Sequence, residues 1–242
     1  RPIRPFAVTV VARIAGAHVT ITRTVIISIR AYRVSLVGPR SISRWAYVLQ
    51  ASDARAEPAV HAPSVGRVDT ATSDAVPNLV RVLAEQRNAD RSTWVRVELT
   101  SLPNSRIGWV PRATLAGYHA VVTRLVIDTE RLTLTLYRSG RSVFRAQVGV
   151  GQSRWPTPQG SFYIRERLTD FHDPFYGPIA FGTSARSTTL TDWPGGGVVG
   201  IHGTNEPGLI PGRISHGCVR LRNADILRLA RLLPLGTPLL IR

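Results

Sequence analysis

The chain has 242 residues, 43% hydrophobic and 19% charged, enough apolar material for a sizeable core and too much for a disordered chain. All 31 of its basic residues are arginine, set against 15 acidic residues, and the net charge of +16 favours polyanionic partners. The longest apolar stretch, Phe6 to Ser28, is interrupted by Arg13, His18 and Arg23, which argues against a transmembrane segment.

The chain contains no methionine, so residue 1 is read as lying downstream of a translation start, with room for an export signal before it. Residues 1–40 are an N-terminal extension rich in β-branched residues, and no function is assigned to them. Val8–Val11, Val19–Thr22 and Val25–Ile29 are its candidate strands, with Val19–Thr22 alternating as a half-buried strand does; the alternative is a poorly ordered tail. Residues 41–116 read as a small β domain. Its short apolar runs, Trp45–Leu49, Asn78–Leu83, Trp94–Leu99 and Ile107–Val110, are separated by polar and Pro/Gly turns. Residues 117–122 read as a linker.

Residues 123–242 read as a second, mainly β domain. Leu132–Tyr137 alternates strictly, Ser139-Gly140 suits a two-residue hairpin turn, and Val143–Val150 returns. Further strands are expected at Leu125–Ile127, Ser161–Ile164 and Leu239–Ile241. One helix is expected over Asn223–Leu233, with Asn223 as N-cap, Ala224, Leu227, Ala230 and Leu233 on its apolar face, and Pro234 as its end.

Cys218 is the chain's single cysteine, so no internal disulfide is possible. It lies two residues after His216 and sixteen after His202. A nucleophilic thiol needs a neighbour that takes its proton, and either histidine can do this near neutral pH. In an extended segment, positions 216 and 218 share a face. Gly217 between them allows close approach, and its N–H is a candidate oxyanion donor. A zinc site from His202, His216 and Cys218 with His172 or Asp173 is disfavoured, because the paired close spacings of structural zinc are missing.

The segments Gly200-Ile201-His202-Gly203-Thr204-Asn205 and Ser215-His216-Gly217-Cys218-Val219-Arg220 resemble the catalytic motifs of L,D-transpeptidases of the YkuD family. Pro156-Thr157-Pro158-Gln159-Gly160 followed by Phe162, the Leu132–Tyr137 hairpin and Gly236-Thr237-Pro238-Leu239 resemble further family segments in the same order. The resemblance implies an L,D-transpeptidase-type β-sandwich with one or two short helices over 123–242. Trp94-Val95-Arg96-Val97, the Pro103-Asn104-Ser105 turn and Gly108-Trp109-Val110-Pro111 resemble bacterial SH3-like domains, which implies a small β-barrel over 41–116.

Carried over residue by residue, the family pattern makes Cys218 the nucleophile and His202 the base. The residues alone leave His202 and His216 open as the base. His216, Gly217 and Cys218 would supply backbone oxyanion donors. Ser215, Arg220 and Gly203 would hold the cysteine loop or bind substrate. Asp173, Tyr176 and Trp193 fall in a stretch, 171–197, that aligns poorly with the family and lies near the expected groove. The implied reaction acylates Cys218 with a peptidoglycan stem peptide and passes the acyl group to an amine or to water, with no cofactor and no metal. The implied partners are stem peptides and anionic wall polymers rather than nucleic acid, since the arginines form no block of five or six. The implied location is extracytoplasmic, in periplasm or cell wall. A wall-binding protein with a silent catalytic fold is the reading of a different class.

Overall fold

The computed structural model describes residues 31–36, 42–169, 173–190 and 197–242, together with the backbone of 6–14 and 17–25. Three sheets organise them, and among the described residues α-helix is confined to one short segment. Phe6–Ile14 and Ala17–Val25 form an antiparallel hairpin in unbroken register from Phe6↔Val25 to Ile14↔Ala17. This follows from their β-branched composition. Residues 26–29 of the third expected strand lie outside the described residues.

The second sheet is antiparallel and centres on Leu79–Arg87, which is flanked by Ser43–Tyr47 and Thr93–Glu98. Its core is mostly valine and alanine, including Ala46, Val80, Val82, Val95, Val97 and Val110. Trp94 and Trp109 pack apart from that core with Ala84, and the Arg33 guanidinium covers the Trp109 ring. The short strands Tyr32–Ser35, Ser52–Arg55 and Ser64–Val68 were not anticipated, because their mixed polar sequences carry little apolar alternation. The segment expected as a linker holds the strand His119–Val121, which pairs with Ser43–Tyr47.

The third sheet has ten strands and follows the apolar pattern of 123–242 closely. Thr133–Arg138 and Arg141–Gln147 form the expected hairpin. Its turn residues Ser139 and Gly140 have φ of +49° and +82°, the left-handed pair that such a turn requires. The final strand, Pro238–Ile241, lies between Thr123–Asp128, to which it is parallel, and Gly160–Leu168.

The helix runs Asn223–Ala230 and buries Ile226, Leu229 and Ala230, while Leu227 is exposed. The three-residue step read from sequence drifts off the 3.6-residue repeat, so the true apolar stripe is 226, 229, 230 and 233. Arg222, not Asn223, occupies the N-cap, without a side-chain bond. The Asn223 side-chain Oδ1 instead accepts the Thr204 N–H at 2.9 Å.

The second and third sheets share a buried cluster of Trp45, Leu79, Val121 and Tyr163. The Tyr163 hydroxyl lies 3.3 Å from the Leu79 carbonyl and 3.4 Å from that of Glu98, and it donates to this pair. Trp45 lies against Gly236, where a Cβ would come within 1.9 Å of the indole.

Candidate active site

Strand Val198–His202 pairs in parallel with the short strand Val219–Arg220, in register Ile201↔Val219 and His202↔Arg220. That pairing brings two segments sixteen residues apart in sequence to one end of the sheet. Gly200 marks the meeting point. Its N–H reaches Cys218 Sγ at 3.4 Å, and a Cβ placed on it would sit 3.8 Å from that sulfur and 3.9 Å from His202 Cδ2. The thiol and the Nε2-bearing edge of the imidazole therefore flank the same glycine. A cleft open to solvent is lined by both, together with Ser215, His216, Arg220 and Tyr176.

His202 is 2% exposed, and its Nδ1 lies 2.7 Å from the Gly203 carbonyl. A carbonyl only accepts, so Nδ1 carries the proton and Nε2 presents a lone pair. Burial holds the His202 pKa down to about 4, and the Arg220 charge pushes the same way. Cys218 is half-buried, and desolvation raises its pKa, opposed by the Gly200 N–H and by Arg220. Near neutral pH the pair rests as thiol and neutral imidazole.

The cysteine loop is fixed from several sides. Ser215 Oγ donates to the Cys218 carbonyl at 2.5 Å and accepts the Gly217 N–H at 3.1 Å. Thr157, from the Pro-Thr-Pro turn, donates to the Gly217 carbonyl and accepts the Gly151 N–H, both at 2.9 Å. Gly217 has φ +118°, a region that side chains disfavour. Its N–H is engaged by Ser215 Oγ.

Arg220 is 4% exposed, paired with Glu206 Oε2 at 3.2 Å and covered by the Phe175 ring at 4.2 Å. Its Nε is buried without a hydrogen-bond partner. Gly203 is buried behind His202, against Gly177 and Asn223. His216 is exposed, its ring 4.2 Å from that of Trp155. Asp173 accepts the Phe175 N–H and caps the turn that sets Phe175 and Tyr176 beside the His202 ring. His172 and Trp193 lie outside the described residues.

Residues 122–241 match the YkuD L,D-transpeptidase catalytic domain. YkuD of Bacillus subtilis (strain 168) is 35% identical over 139 residues, which cover 57% of this chain and 74% of that protein. The chain belongs to the YkuD family. A Bacillus licheniformis member is 34% identical over 114 residues, 47% of this chain, and the match spans 62% of that relative's length. Among solved structures, an Enterococcus faecium L,D-transpeptidase aligns over 50% of this chain and 49% of its own with a TM-score of 0.41 and 22% identity. One from Mycobacterium smegmatis aligns over 62% and 90%, with a TM-score of 0.39 and 16% identity. The YkuD-like motifs were visible in sequence because each is contiguous. Thr157, Phe175, Glu206 and Asn223 act across long separations, and only Thr157 stood in a recognised segment.

Proposed function

We propose that this chain is a peptidoglycan L,D-transpeptidase working through a Cys218 acyl-enzyme. The observation that carries the reading is that His202 and Cys218 line one cleft, both near Gly200, with the His202 Nδ1 proton held by Gly203 so that Nε2 is the basic nitrogen. A depressed imidazole pKa and a raised thiol pKa disfavour a resting ion pair. The proton therefore moves to His202 Nε2 as the sulfur attacks, which is general-base catalysis.

The Cys218 sulfur bonds to the carbonyl carbon that joins the stem's third residue to its terminal D-alanine. The oxyanion takes the Cys218 N–H, because the Gly217 N–H is engaged. His202 returns its proton to the departing D-alanine amine as the C–N bond breaks. An acceptor amine or water then attacks the thioester, gives its proton to His202 and releases the thiol. Transfer to an amine crosslinks two stems, and transfer to water trims one. Arg220 lines the cleft, and its charge is suited to a carboxylate of the stem. The residue pattern of 41–116 supports an SH3-like module that contacts the wall. The net charge of +16 supports association with anionic wall polymers outside the cytoplasm.

The test is intact mass after incubation with a carbapenem, which a nucleophilic cysteine of this kind would open. One adduct is expected on the wild-type chain and none on Cys218→Ala. Acylation surviving in the alanine variant would end the cysteine mechanism. His202→Ala should slow acylation by orders of magnitude. If His216→Ala does so instead, the base is His216.

A further inference from the structure

The far wall of the cleft is formed by Ser187, Leu190 and Gly197, beyond the end of strand Ala180–Arg186. Arg186 pairs with Val198, and the strand's other end pairs Ala180 with His202. This strand therefore ties the cleft wall to the base. Arg186 is gripped by a turn of the second sheet. Asn104 Nδ2 donates to the Arg186 carbonyl at 2.8 Å, and Asn104 Oδ1 accepts the Arg186 N–H at 2.9 Å. The Arg186 Nε donates to the Thr100 carbonyl at 2.5 Å. One asparagine amide thus satisfies both backbone groups of the residue before Ser187, across 82 positions of sequence. Past Arg186, Ser187 N–H bonds the Gly197 carbonyl, and Ser187 Oγ accepts from the N–H groups of Thr189 and Leu190. These described wall residues are bonded to one another, and Arg186, at their root, is fixed from the other sheet.

We infer that Asn104 is a positioning residue for the cleft wall formed by Ser187, Leu190 and Gly197, so that the second sheet sets how tightly the stem peptide is held. The inference rests on the transpeptidase reading for the substrate and on geometry alone for the loop. Asn104 touches no reacting atom, so its loss should weaken substrate binding and leave the thiol–imidazole pair intact.

The experiment compares Asn104→Ala, Asn104→Asp and Ser105→Ala in the full chain. Ser105 Oγ donates to the Ser161 carbonyl at 3.0 Å, crossing the same interface without touching Arg186, so it controls for simple loosening. With a stem tetrapeptide ending in D-alanine, Asn104→Ala should raise KM about tenfold with kcat and the rate of Cys218 alkylation by iodoacetamide unchanged. Asn104→Asp accepts the Arg186 N–H but cannot donate to its carbonyl, so it should fall between. Ser105→Ala should match wild type. Hydrogen exchange of the Ser187–Leu190 amides should quicken in Asn104→Ala and not in Ser105→Ala. Unchanged KM and exchange in Asn104→Ala would overturn the inference, as would equal losses in Ser105→Ala. If the wild type turns over no stem peptide, the transpeptidase reading fails, and exchange alone still decides whether Asn104 fixes the loop.

Discussion

His202 is buried, and in the proposed mechanism it also takes the thiol proton. A histidine ordinarily titrates near 6.5, and burial holds this one to about 4. The unfolded chain therefore takes up a proton as pH falls through 6.5, while the folded chain does so only near 4. The associated stability is fully present above pH 6.5 and is lost progressively below it, by about 2 kcal/mol between pH 7 and 5. Urea midpoints across that window should fall in the wild type and flatten in His202→Asn; equal slopes would show that His202 is not the linked group. The same pKa predicts that peptide acylation keeps its rate from pH 7 to 5 and declines only near 4. An acid limb near 6.5 would contradict a buried His202 base.

At the scale of elements, the cysteine loop depends on a turn some sixty residues earlier. Thr157 is buried, and its hydroxyl joins the Gly151 N–H to the Gly217 carbonyl. Thr157→Val keeps the shape but leaves both groups unpaired, a loss of about 1–3 kcal/mol in stability. Acylation should slow with it, and Thr157→Ser should restore both; a valine variant as fast as wild type would make the turn a bystander. This dependence shows where the sequence was legible. Strict alternation gave the Thr133–Gln147 hairpin, and contiguous motifs singled out Cys218 and His202, which the fold brings to one cleft, because both signals are local. The helix was found with half of its apolar face: Ala230 and Leu233 are buried as expected, while Ala224 and Leu227 are exposed and Ile226 and Leu229 take their place, because a strict three-residue step drifts off the 3.6-residue repeat. Asn223 looked like a cap because it precedes the helix, but Thr204, nineteen residues earlier, claims its oxygen. The Glu206–Arg220 pair and the Asn104 grip on Arg186 link residues whose proximity only the folded sheets create.

At the scale of the whole molecule, the question is whether the second and third sheets unfold as one unit. Trp45, Leu79, Val121 and Tyr163 form one buried cluster across them, and Gly236 is the hinge of that contact. Gly236 has φ +74°, and a methyl group there would lie 1.9 Å from Trp45 Cδ1. Gly236→Ala therefore meets two penalties, roughly 1–2 kcal/mol for a left-handed alanine and about 1–3 kcal/mol for overpacking. Trp45→Ala alone should cost about 3–5 kcal/mol, as loss of a buried tryptophan does. The two effects should not add. With the indole gone the methyl group has room, so the double variant should recover the overpacking cost and keep only the backbone cost. A double-mutant cycle in urea measures this directly, with tryptophan fluorescence and far-UV circular dichroism followed in parallel. A positive coupling with coincident transitions means that the interface is continuous core and that the sheets fold together. Additive losses, or a fluorescence transition that separates from the circular dichroism one, would mean that Trp45 lifts off Gly236 before the third sheet unfolds. The grip of Asn104 on the cleft wall would then be intermittent as well, because it crosses the same interface.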